Sequence, residues 1–149
     1  MKIVHVDQKS IKGISVRTTN ANEMNPSTSK IGNLHQGFSK KVGVNYEKGA
    51  HLYVIYFDYE SDAAGEYSVL VGSDEIDEKS SEHIEQVNVL SGNYMIFEGV
   101  GEMPQIVINT WSKVWEFFSK EDVPVQRTFT TDFEFYESQN EIAIYIAVK

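Results

Sequence analysis

The sequence predicts an α+β fold of two strand-helix-strand-strand units related by a pseudo-two-fold axis, with a ligand groove where they meet. Three observations predict it: short segments that recur in the same order in the two halves, β-branched and aromatic runs that read as strands, and one amphipathic helical stretch per half. "FDYES" at 57–61 answers "FEFYES" at 133–138, and "FSKK" at 38–41 answers "FSKE" at 118–121. "GISVRT" at 13–18 answers "GNYMIF" at 92–97, and "EYSVLVG" at 66–72 answers "EIAIYIAV" at 141–148. The 149 residues therefore read as one domain with internal repeats over about 1–73 and 84–149. The acidic run "SDEIDEKSSEH" at 73–83 has no hydrophobic periodicity and reads as a solvated linker.

In the first unit, a strand at 13–18 precedes a helix over about 27–41, introduced by "NPSTSK". Ile31, Leu34, His35 and Phe38 share one face of that helix, and Gly32 and Gly37 weaken it. "HLYVIYFDY" at 51–59 and the strand at 66–72 flank the turn-rich "ESDAAGE", which predicts a hairpin. In the second unit the strand at 92–97 leads to a helix starting near Pro104, a residue suited to a first turn. Val107, Trp111, Val114, Trp115 and Phe118 form its apolar stripe. Strands over 127–136 and 141–148 complete the unit.

Composition excludes several functions. Hydrophobic residues at 41% and aromatics at 12% exclude a disordered chain, and the aromatics exceed what a minimal core requires. Lys and Arg number 13 against 22 Asp and Glu, a net charge of −9 that repels phosphate backbones and attracts small cations. No direct nucleic-acid binding is expected. There is no cysteine, hence no thiol nucleophile or thiolate metal site. His5, His35, His51 and His83 fall in no metal-binding pattern, and "EGVGEMP" at 98–104 lacks the rest of a dinucleotide fingerprint. No metal and no cofactor is expected. "MKIVHVDQKS" is not a signal peptide, and no stretch reaches the roughly 20 apolar residues of a membrane span, so a cytoplasmic protein with no membrane association is expected.

One residue stands out. In "TTDFEFYES" at 130–138, period two places Thr128, Thr130, Asp132, Glu134 and Tyr136 on one strand face and Phe129, Thr131, Phe133 and Phe135 on the other. In the repeat alignment Glu134 matches Phe57, so the symmetry is broken there. A buried, unpaired carboxylate costs several kcal/mol. Glu134 is therefore solvated, paired with Arg127 or a lysine, or kept for a ligand. Trp111 and Trp115, one helical turn apart, supply rings beside it if their helix crosses that sheet face; the same stripe also serves simply as core.

The ordered set "GISVRTTN", "NPSTSKIGNL", "YFDYESDAAGEYSVLVG", "GNYMIFEGVGEMPQIVINTWSKVWEFF", "RTFTTDFEFY" and "IAIYIAVK" resembles the GyrI-like small-molecule-binding domain. That bacterial domain also serves as the effector-binding domain of AraC-type and MerR-type transcription regulators. The resemblance spans nearly the whole chain. It implies an aromatic pocket between the halves, with the glutamate of the "DFE-x-Y" segment, here Glu134, pointing into it. Tyr67, Phe38 and His35 are then placed across the groove, and Tyr94, Tyr136 and Tyr145 are candidate wall phenols. The regulators carry a DNA-binding domain beside this module. Here the module takes up all 149 residues, which predicts a stand-alone form.

The implied function is multidrug-type binding of amphipathic, cationic or aromatic small molecules, with Glu134 as counter-charge. An alternative is hydrolysis of small electrophilic toxins, with Glu134 as general base and Tyr67 or Tyr136 orienting or protonating the substrate. A third is gyrase-inhibitor-like binding of a protein partner that the residues do not identify.

Overall fold

Strand-forming sequence dominates the chain, and in the computed structural model, which describes residues 2–76 and 83–149, it forms one eight-stranded antiparallel sheet. In chain order the elements are β1 (Lys2–Val6), β2 (Lys9–Thr19), a single turn α1 (Asn20–Glu23), α2 (Ile31–Lys41), β3 (Leu52–Phe57), β4 (Glu66–Ser73), β5 (Glu85–Val89), β6 (Gly92–Val100), α3 (Gln105–Phe118), β7 (Thr131–Ser138) and β8 (Glu141–Ala147). The sheet order is β1-β6-β8-β7-β3-β4-β2-β5. Each half supplies three adjacent strands, β2-β4-β3 and β6-β8-β7, and the two sets join where β3 pairs with β7. The strand-helix-strand-strand order is as expected in both halves, and "ESDAAGE" does close the β3–β4 hairpin.

Two boundaries differ from expectation for local reasons. Helix α2 starts at Ile31 rather than near residue 27 because "NPSTS" folds as a turn. The Asn25 side chain accepts from Ser27 N (3.0 Å), and its carbonyl accepts from Thr28 N (3.0 Å). Strand β3 ends at Phe57 because Asp58 is left-handed, at φ 54°. In addition, β1 and β5, which precede the first matched segment of each repeat, pair at the two edges of the sheet. The expected linker is strand as far as Ser73, and Ile76 bridges to Val44; residues 77–82 of it lie outside the described residues.

Period two divides the core between the faces of the sheet. On the helix side, α3 covers Met95 and Phe97 of β6 and Ile142, Ile144 and Ile146 of β8. Helix α2 covers Val69 and Val71 of β4 through Leu34 and Phe38. The opposite face collects Tyr53, Ile55, Leu70, Tyr94 and Phe133 with Val6 and Val89 of the edge strands. Each helix thus lies over the outer strands of its own half, and the helix-side face of the central pair β3 and β7 is the floor of the space between them.

Contact between α3 and β6 depends on Gly99, where an added Cβ would stand 2.1 Å from Thr110 Oγ1 and 2.9 Å from Ile106 Cδ1. Overpacking of this kind typically costs about 1–3 kcal/mol. Gly37, inside α2, is the opposite case, because its added Cβ would meet only Ile14 Cδ1 at 3.7 Å. In urea unfolding, Gly99→Ala is expected to lower stability by about 1–3 kcal/mol and Gly37→Ala to raise it by about 0.5–1 kcal/mol.

Candidate functional site

The floor of the inter-helix cleft is built from cross-strand pairs: Leu52 opposite Tyr136, Val54 opposite Glu134, and Tyr56 opposite Asp132. Glu134 is 2% exposed. Its Oε2 accepts from Trp111 Nε1 on α3 (2.7 Å) and from the Tyr56 hydroxyl on β3 (2.6 Å), and its Oε1 accepts from the Tyr136 hydroxyl (2.6 Å). All three donors are neutral, and among the described residues no ion pair reaches Glu134. Burial, and next the charge of Glu134, push the Tyr56 and Tyr136 phenols well above their ordinary value, so both remain donors at any working pH.

Arg127, one expected partner for Glu134, turns instead to the other acid on the same face. Its Nη2 donates to Asp132 Oδ2 at 2.8 Å, the side chains being 7% and 0% exposed. Asp132 also accepts from the Tyr59 hydroxyl and from Ala147 N. The guanidinium lies 4.4 Å from the ring centre of Phe129 and 5.7 Å from that of Trp115. Phe129 is held at φ 53°, a left-handed conformation that a bulky residue adopts only when its surroundings require it.

The cleft above Glu134 has a volume of about 720 Å³; Ile31 and His35 of α2 form one wall, and Val107, Trp111 and Trp115 of α3 the other. A smaller hollow of about 160 Å³ adjoins it, shares Glu23, Tyr56, Trp111 and Trp115 with it, and adds Tyr59, Tyr67 and Arg127. Trp111 and Trp115 are 5.9 Å apart, and Trp115, 42% exposed, stands at the rim. His35 meets Tyr136 edge-on at 6.5 Å. Burial lowers the His35 pKa from its ordinary 6.5, and the charge of Glu134 opposes that shift.

Of the residues expected to line the site, Glu134, Trp111, Trp115, His35 and Tyr136 converge on the main cleft, and Tyr67 lines the adjoining hollow. Phe38 is core, buried beneath α2. Tyr94 and Tyr145 lie on the opposite face of the sheet, because alternation on β6 and β8 turns them away from α3, so the structure corrects their expected place. Tyr56, Tyr59 and Glu23 were not anticipated. Period two along "HLYVIYFDY" identifies Tyr56 as a floor residue, in phase with Leu52 and Val54. Glu23 has no such signature: it reaches the cleft by accepting from Lys30 N (3.0 Å) and Ile31 N (3.1 Å) at the start of α2. Among the described residues no group of acids and histidines is arranged to hold a metal ion, and no helix is long and apolar enough to cross a membrane.

Comparison with known proteins gives this architecture a family. The model of the integron-associated effector binding protein, Cass2, matches residues 2–148. The chain belongs to the Cass2 family. Among solved structures, the Vibrio cholerae integron cassette protein VCH_CASS2 is 40% identical with a TM-score of 0.88, over 99% of this chain and 95% of that one. YobU of Bacillus subtilis (strain 168), whose name describes a transcriptional regulator, is 29% identical over 99% of this chain and 96% of its own length. SAV2435, solved bound to tetraphenylphosphonium, shares the fold at 14% identity and a TM-score of 0.66, over 99% of this chain and 93% of that one. The chain thus has the α+β fold of GyrI-like effector-binding domains.

The two buried acids of the cleft floor differ in what their removal exposes. Asp132→Asn is expected to cost about 3–5 kcal/mol in chemical denaturation, because it leaves the Arg127 charge buried and unanswered. Glu134→Gln is expected to stay within about 1 kcal/mol, since no cation is orphaned and the Tyr136 hydroxyl can rotate to accept from the new amide.

Proposed function

We propose that the cleft between α2 and α3 binds amphipathic small molecules carrying a positive charge and an aromatic or other apolar body, with Glu134 as the counter-charge. One observation carries this reading: a carboxylate 2% exposed is held in the floor of an aromatic cleft by three neutral donors and, among the described residues, by no cation. Neutral donors fix its position and leave its negative charge for a guest. Trp111, Trp115 and Tyr56 offer ring faces to the same guest, and a cation over such a face gains about 0.5–2 kcal/mol. A net charge of −9 raises the local concentration of cations around the protein. In this reading the whole chain is one binding domain of two repeats, about 1–73 and 84–149.

Hydrolysis by the same glutamate has less support. A general base needs a free acceptor position within reach of a water, and three of the roughly four on this carboxylate are filled. The arrangement suits holding a charge better than moving a proton.

Tetraphenylphosphonium is the natural probe, being the compound bound in SAV2435. By calorimetric titration, Glu134→Gln is expected to weaken its binding at least tenfold with the fold intact; unchanged affinity ends the reading. The pH dependence tests the wall. His35, facing Glu134 and Tyr136 of β7, Tyr56 of β3 and Glu23, is neutral at pH 7 because burial lowers its pKa. Acidification through that lowered pKa adds a positive charge beside Glu134. Affinity for the probe should therefore be flat above pH 6.5 and fall only as the pH drops through the lowered His35 pKa, and the fall should be lost in His35→Gln.

A further inference from the structure

We propose that the preferred guests are dications: elongated molecules with two positive centres joined by an aromatic spacer, one centre held by Glu134 and the other by Glu23. The inference rests on the cation-binding reading and deepens it. Glu23 enters the same cleft from the end of α1 and also lines the adjoining hollow. Its carboxylate accepts from Lys30 N (3.0 Å), Ile31 N (3.1 Å) and the Thr18 hydroxyl (2.6 Å). Like Glu134, it is positioned by neutral donors, and among the described residues no ion pair reaches it.

Among the described residues, no lysine or arginine lines the main cleft. Arg127, in the adjoining hollow, is already matched by Asp132 at 2.8 Å. Two uncompensated negative charges thus share the main cleft, where each raises the cost of the other because the surroundings screen them less than water does. A monocation answers one of them and a dication both. Ile31, Tyr56 and Trp111 line the cleft that both acids enter, and they favour a flat apolar spacer over a flexible polar one.

The test compares an aromatic bis-amidine with the mono-amidine of the same length, titrated against the wild-type protein, Glu23→Gln and Glu134→Gln at low and high salt. The bis-amidine is expected to bind the wild type at least tenfold tighter, beyond the twofold that two equivalent ends provide, with the advantage shrinking as salt is added. Glu23→Gln should abolish the advantage, and Glu134→Gln should weaken both compounds. Equal affinities of the two compounds for the wild type, with Glu134→Gln still weakening both, overturn the dication inference and leave the cation reading standing. Glu134→Gln without effect on either compound removes both. Because Glu23 also caps α2, circular dichroism checks the fold of its variant; should that variant not fold, the wild-type comparison and its salt dependence decide.

Discussion

The arrangement depends on how one carboxylate is kept out of water. Glu134 sits on the central strand pair, where neither helix lies directly overhead, and it is held by an indole N–H and two phenols rather than by a base. Those three donors come from α3, β3 and β7, so the same contacts that satisfy the acid also tie the helix of one half to the central strand of the other. The aromatic lining follows from this: a tyrosine or tryptophan brings one polar atom to the carboxylate and presents the rest of its surface to the cleft.

Asp132 shows the alternative on the same strand face, two residues away. There the negative charge is matched by a buried guanidinium, and rings close over the pair. The difference between the two acids is one of accounting in charge rather than in hydrogen bonds, since both are well supplied with donors. Of these two acids, Glu134 is the one whose formal charge no described cation matches.

Much of this was legible in the residues, because alternation and helical periodicity encode which side chains share a face. They indicated the fold class and the strand-helix-strand-strand order, and they set Glu134, Trp111 and Trp115 as candidates for one surface. They could not indicate which acid Arg127 would choose, since Asp132 and Glu134 lie on the same face and the choice rests on three-dimensional distance. Tyr94 and Tyr145 were misplaced for a related reason: a tyrosine in a strand has the same pattern whichever way its strand faces, and the direction is settled by register against β6 and β8 partners. Glu23 was invisible because its role arises from a turn between two helices, where no period applies. Edge strands β1 and β5 were missed because they precede the first matched segment of each repeat.

Those edge strands are exchanged between the halves. The segment preceding β2 pairs with β6, and the segment preceding β6 pairs with β2, so each half is clasped by a ribbon from the other. Opening the cleft like a jaw would mean tearing ladders at both rims as well as along the middle. The width of the floor is consequently a fixed dimension of the fold.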